Sequence, residues 1–203
     1  MNADSIYWPY ASALMLVAHP DDETLWGGGT ILMHPETRWT VAALCRRNDP
    51  DRAPKFKNVL QRLGATGALG DLDDGPEQTP LAPSVVQDAV LALVGGLEVD
   101  LIITHSVAGE YERHRRHEET GAAVLALREA GKLRSPALWS FAYRDARALP
   151  EADIRIELPA EIWARKRHLV GEIYGFAPTS FEMNAARREE AFWRLHPATE
   201  GNP

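Results

Sequence analysis

The sequence predicts an α/β fold: a single Rossmann-like domain with a mostly parallel sheet flanked by helices on both faces. Three observations predict it. Short apolar-dominated runs at 13–18, 39–46 and 99–104 read as strands, the first and last of the kind buried in a parallel sheet. Segments with apolar residues at helical spacing lie between them, for example Phe56, Val59, Leu60 and Leu63. Strands and helices therefore alternate, as in βαβ units, and 203 residues suit one well-buried domain spanning 1–203 better than two.

Taken in order, Ala13 to Ala18 is the first strand, and Gly27-Gly28-Gly29 is expected to let the backbone turn tightly before a short helix over Thr30 to His34. Trp39 to Arg46 is the second strand. Asn48 to Pro54 is a polar turn, and the helix after it stops at Gly64. A short third strand is expected over Ala68 to Leu72, then a surface loop from Asp73 to Pro80. Pro83 and Ser84 open a helix that runs to Val94 and is ended by Gly95-Gly96. Val99 to Thr104 is a buried strand ending in His105. Ser106 to Arg113 is loop, and a helix starts near His114 and runs to Gly131. Strands follow over Ala137 to Tyr143 and Asp153 to Leu158, then a helix from Pro159 to Tyr174. An amphipathic helix is expected over Arg187 to Leu195, with a frayed tail from about 197 to 203.

Composition narrows the function classes. With 45% hydrophobic and 25% charged residues and a net charge of −7, the chain is ordinary for a globular protein and poorly suited to nucleic acid or an anionic membrane. One cysteine, Cys45, excludes an intrachain disulfide, which suits a reducing cytoplasm. The apolar run at 13–18 is too short for a signal segment or a membrane span, so a soluble, unprocessed, cytoplasmic protein is expected.

Two polar outlets follow buried strands. His19, Asp21, Asp22 and Glu23 follow the first, and His105 follows the strand at 99–104, with His114 and His117 at the next helix start. His19 and Asp22 are three apart, as are His114 and His117, and residues three apart at a helix start share a face. Each pair alone has a plain structural reading, as a cap or a surface feature. Together, at one sheet edge, they supply the His and carboxylate donors that a catalytic zinc uses.

The stretch Ala18-His19-Pro20-Asp21-Asp22-Glu23 resembles the signature of the LmbE-like, or PIG-L, zinc-dependent N-deacetylases, which act on N-acetylglucosamine-containing and related substrates. Thr104-His105 and Gly109-Glu110-Tyr111 before His114-x-x-His117 resemble that family's second metal segment, so the resemblance covers roughly Leu14 to Leu127. It implies Zn2+ on His19, Asp22 and His117, Asp21 as general base, and a protonated His114 facing the developing oxyanion. It also implies substrate contacts from Arg52 and from Asp74 in the loop Asp74-Gly75. The substrate implied is a small N-acetylated sugar or glycoconjugate.

The sequence departs from the family pattern at two places. Arg115-Arg116 stand where Pro-Asp is common, and Lys55 replaces a usual glutamate. Arg113, Arg115 and Arg116 would form either a solvated helix start or a cationic rim that binds an anionic part of the substrate. Glu23 reads as a supporting or helix-start carboxylate, and His105 as a hydrogen-bonded structural histidine or a substrate contact. His34, His168 and His196 lie outside any ligand spacing. The competing function is a Rossmann-type nucleotide- or cofactor-binding module without hydrolase activity, although no Gly-x-Gly-x-x-Gly follows the first strand. The oligomeric state stays open, a homo-oligomer included.

Overall fold

The computed structural model describes residues 8–110 and 114–195. The elements run β1 (Ser12–Val17), α1 (Asp22–Met33), β2 (Arg38–Ala43), α2 (Arg52–Leu63), β3 (Thr66–Leu69), α3 (Pro83–Val94), β4 (Leu101–Thr104) and α4 (Arg115–Glu129). They continue with β5 (Ala137–Phe141), the hairpin strands β6 (Tyr143–Arg144) and β7 (Arg147–Ala148), β8 (Ile154–Glu157), α5 (Ala160–His168), a π-helical turn over Leu169–Ile173, α6 (Phe181–Ala185) and β9 (Glu189–Arg194). The expected tail lies outside the described residues, as do Tyr111, Arg113 and His196.

Seven strands form one sheet in the order β3-β2-β1-β4-β5-β9-β8. The first five are parallel, and β9 and β8 extend the sheet antiparallel. Side chains alternate across each strand, so β1 feeds two cores. Ala13, Met15 and Val17 pack with α1 and α2, while Leu14 and Leu16 pack with α3 and α4. Both faces are covered, as the near-continuous apolar strands require. After β1 the chain winds outward to β2 and β3, and after β3 it crosses to β4 and β5. The order therefore reverses between β1 and β4, and side chains after the two strand ends share one crevice there.

Two expectations fail. Gly27, Gly28 and Gly29 do not turn the chain; they lie buried inside α1. A Cβ on Gly27 would stand 2.5 Å from Met15 Cε, and one on Gly29 would stand 2.3 Å from Leu158 Cδ1. The glycines serve close approach rather than backbone freedom. The second failure is the amphipathic helix over Arg187 to Leu195, which is instead strand β9, laddered on both sides by β5 and β8. A two-sided ladder outweighs the local helical pattern. It also carries Glu190 into the interior, a charge that reads as solvent-facing in the sequence.

Inside, Glu190 accepts from the Gly29 and Thr30 amides, from the Thr30 hydroxyl and from Lys166 Nζ at 2.7 Å. Both members of the ion pair are fully buried. Lys166→Met would leave that carboxylate uncompensated, and removing one partner of a buried pair costs about 3–5 kcal/mol. We expect a loss of that size in the unfolding free energy, measured by denaturant titration.

Candidate metal centre

The chain leaves β1 through Ala18 and turns at Asp21, whose backbone has φ 121°, outside the regions open to most non-glycine residues. That turn separates two adjacent carboxylates. Asp22 points into the crevice, its Oδ1 held by Trp26 Nε1 and its Oδ2 accepting from the His19 amide at 2.9 Å. Asp21 faces Arg52 on α2, with Oδ2 3.0 Å from Nη1. Glu23, fully buried, accepts from the Asp21 amide and from the Thr24 and Tyr174 hydroxyls, so it braces the turn.

Three side-chain atoms converge beneath the turn. His19 Nδ1 lies 3.1 Å from Asp22 Oδ2, His117 Nε2 lies 3.3 Å from the same oxygen, and the two ring nitrogens are 3.3 Å apart. The opposite nitrogens fix the protons. His117 Nδ1 lies 2.7 Å from Glu110 Oε2 and His19 Nε2 lies 3.2 Å from Asp74 Oδ1, and a carboxylate requires an N–H from each. The inward nitrogens therefore present lone pairs to each other and to a carboxylate oxygen. Three such atoms repel unless a metal ion or added ring protons lie among them, and without a metal the Asp22 carboxylate raises the pKa of both rings against burial. A tetrahedral zinc with bonds of about 2.0–2.1 Å sets its donors about 3.3–3.4 Å apart, so the donor set fits the ion in chemistry and in spacing.

His105 ends β4 in the same cluster with Nε2 3.4 Å from Asp22 Oδ2, but that nitrogen already accepts from the Ala18 amide at 3.0 Å. Its Nδ1 donates to Glu110 Oε2 at 2.9 Å. His105 is thus a hydrogen-bonded structural histidine, of the two roles open to it. Without a metal, the Glu110 and Asp22 carboxylates raise its pKa to about 9 against burial; a cation on Asp22 opposes that pull and suits the neutral ring whose Nε2 accepts from Ala18. His114, the cap residue of α4, stacks on His117 with ring centroids 4.5 Å apart. A nitrogen of His114 lies within 4.8 Å of those of His19 and His117. Burial, then the charges of His117 and His19 in the metal-free site, lowers its pKa to about 4, which weighs against the imidazolium that the resemblance implies.

Above the cluster opens a cleft of about 250 Å³, lined by His19, Asp21, Asp22 and His114 below and by Arg46, Arg52, Asp74, Phe181 and Glu182 at its walls. Arg52 is stacked over Phe176, 4.5 Å from the ring centroid. The expected cationic rim does not form among the described residues. His114 and His117 share one face of α4, and the two residues between them must point elsewhere. Arg115 is exposed and lines no part of the cleft. Arg116 is 1% exposed and binds the 73–80 loop from beneath, donating to the Asp73 and Thr79 carbonyls and pairing with Glu119. Sequence reasoning gave no role to Glu110, Arg46, Phe181 or Glu182. Glu110 carried a signal, since a carboxylate seven residues before His117 in the same outlet can reach its ring.

No protein-family model matches this chain, and no curated protein sequence matches it. Solved structures do. N,N'-diacetylchitobiose deacetylase from Pyrococcus horikoshii has a TM-score of 0.72 at 12% identity, over 92% of this chain and 84% of that one. A triple mutant of the deacetylase of the teicoplanin biosynthetic pathway has a TM-score of 0.70 at 14% identity, over 94% and 100%. Another structure of a teicoplanin deacetylase is of a zinc-inhibited form. GalB, the 4-carboxy-2-hydroxymuconate hydratase from Pseudomonas putida KT2440, has a TM-score of 0.63 at 16% identity, over 95% and 99%. The chain therefore has the fold that these enzymes share. No helix among the described residues is long and apolar enough to cross a membrane.

Glu110 ties the stability of the site to pH. Burial would raise its pKa, but the N–H groups and charges of His105 and His117 hold it at about 2, against 4.5 for an ordinary glutamate. A depressed carboxylate contributes stability that is complete above pH 4.5 and is lost as pH falls toward 2. In Glu110→Gln the metal-free protein should lose that acid limb, seen as a flatter dependence of the denaturant midpoint between pH 5 and pH 2. Metal affinity should fall about 10- to 100-fold, read by competition with a chromogenic chelator.

Proposed function

We propose that this protein is a zinc-dependent hydrolase that removes an N-acetyl or related N-acyl group from a small amino sugar or glycoconjugate. The observation that carries the reading is the convergence of His19, Asp22 and His117 beside a separately held carboxylate, Asp21, next to an open cleft. The deacetylase neighbours and the resemblance of residues 18–23 support it. A bound zinc would polarise the amide carbonyl and acidify a water.

The chain's own residues do the rest. Burial, and next the neighbouring Asp22, raises the Asp21 carboxyl well above its ordinary pKa, while Arg52 pulls it down. A carboxylate with a raised pKa is a stronger base, suited to take a proton from the attacking water and return it to the leaving amine. Arg52 holds that carboxylate in place from α2. The neutral His114 serves as a hydrogen-bond donor toward the developing oxyanion, which needs a positioned N–H and not a full charge. Adjacent residues 21 and 22 thus divide proton transfer from metal binding. A cytoplasmic, single-domain enzyme active on a small soluble substrate is the setting this reading assumes.

Asp21→Asn should keep the metal and lose turnover by about 10²- to 10⁴-fold, whereas Asp22→Ala should lose both metal and turnover. Equal metal loss in the two variants would overturn the division of roles. The substrate class is tested by a zinc-loaded screen of N-acetyl sugars, with and without anionic aglycones, read as acetate release.

The hydratase neighbour supplies a second reading. Addition of water to a conjugated enoate would use the same base and the same metal site. Acetate release with no change in conjugated-acid absorbance selects the first reading, and the reverse selects the second. The nucleotide-binding alternative gains nothing from the glycines, which pack into the sheet and offer no turn for a phosphate.

A further inference from the structure

The resemblance to the deacetylases assigns Asp74 to the substrate. Its hydrogen bonds point inward instead. Oδ1 accepts from His19 Nε2 at 3.2 Å and from Gln78 Nε2 at 2.9 Å. Oδ2 accepts from Arg46 Nε at 2.8 Å and from Arg46 Nη2 at 2.5 Å. A carboxylate has about four lone-pair sites, and all four are filled by the protein itself. No site remains for a substrate hydroxyl, even though the side chain borders the cleft.

Arg46 and the loop are both built to hold Asp74 there. Arg46 follows β2 with φ 70°, a left-handed conformation that disfavours any residue with a Cβ. A glycine would relieve that strain, yet the position carries a side chain whose fork clasps one oxygen of Asp74 and whose Nη1 lies 3.6 Å from Asp49. On the other side, buried Arg116 ties down the Asp73 and Thr79 carbonyls at the two ends of the loop. Asp74 is gripped from both directions, and its remaining oxygen faces the outer nitrogen of His19.

We propose that Asp74 is a positioning residue for the metal centre and not a substrate contact: it fixes the ring and tautomer of His19, and Arg46 acts through it. This rests on the metal-site reading above, and the chain Arg46–Asp74–His19 then sets how tightly the ion is retained. It mirrors the contact of Glu110 with His117 on the other side of the cluster. Each inward-facing imidazole has its own buried or half-buried carboxylate behind it.

The geometry makes Asp74→Asn informative despite its isosteric shape. Arg46 requires an acceptor on its side, so the amide oxygen turns toward Arg46 and the NH₂ group opposes the N–H of His19. The histidine must then shift or change tautomer. Metal affinity, read by competition of zinc or cobalt with a chromogenic chelator, should fall about 10- to 100-fold. Arg46→Gly removes the clasp and the strain together. It should weaken metal binding in the same direction while the metal-free protein melts no lower than wild type, an outcome that damage to the fold would not give. Arg46→Lys should recover part of the affinity, since it restores the charge without the fork. The cobalt absorption bands should shift in Asp74→Asn at saturating metal.

The proposal is overturned if Asp74→Asn and Arg46→Gly retain metal as tightly as wild type, and above all if Asp74→Asn raises only KM, the mark of a substrate contact. The chelator competition, the melting and the cobalt bands do not depend on acetate release. A wild-type protein that binds metal but hydrolyses no N-acetyl compound would sink the deacetylase reading and leave this one standing. A wild-type protein that fails to compete for the ion overturns this one.

Discussion

The crevice between β1 and β4 holds three electron-rich atoms within 3.3 Å of one another. Left alone, such a cluster would disperse or take up protons. Around it the chain supplies a set of restraints, each of which needs a different element. Trp26 holds one oxygen of Asp22 from within α1, Glu110 holds the ring of His117 from the β4 outlet, and Asp74 holds the ring of His19 from the 73–80 loop. The parallel sheet makes this assembly available, because its order reverses at that point and leaves room for outlets from two neighbouring strands. The cluster is therefore a property of topology as much as of residue type.

Two residues with strained backbones border the same place. Asp21 at φ 121° and Arg46 at φ 70° are both non-glycine residues in disfavoured backbone conformations, and both carry side chains that reach the cleft. Each is over-determined by its surroundings: Asp21 by the bonds of its amide to Glu23 and its carboxylate to Arg52, Arg46 by Asp74. Strain of this kind costs on the order of 1–3 kcal/mol per residue and persists only where neighbouring contacts hold it. The buried Glu190–Lys166 pair, by contrast, belongs to the scaffold. It fastens the last strand to the middle of α1, behind the strand end from which the cluster projects.

Much of the scaffold was legible because periodicity reports burial directly. Phe56, Val59, Leu60 and Leu63, followed by Gly64 at φ 71°, fall where helical spacing and a left-handed stop put them. What escaped was decided by partners far along the chain. Nothing near Gly27–Gly29 announces that Met15 and Leu158 will press against them, and nothing near Glu190 announces Lys166. In the site, residue types and spacing pointed to His19, Asp22, His114 and His117, and the structure brings all four together. Arg116 shows the limit of spacing: a basic residue between two histidines reads as a rim, but helix geometry turns it away into the 73–80 loop. Charge in a sequence has no direction until the helix phase is fixed.

That phase also bears on how one fold can serve a deacetylase and a hydratase. The cluster and its carboxylate supports lie at the floor, on rigid strand ends and helix starts, and the reactions proposed above differ little in what they ask of that floor. Both need a held ion, a base with a raised pKa and a donor opposite. Discrimination must therefore come from the walls, where Arg46, Arg52, Phe181 and Glu182 stand on α2, α6 and the segment after β2. If Arg46 is committed to Asp74 and Arg52 to Asp21, neither cation has its full charge to offer an anionic ligand.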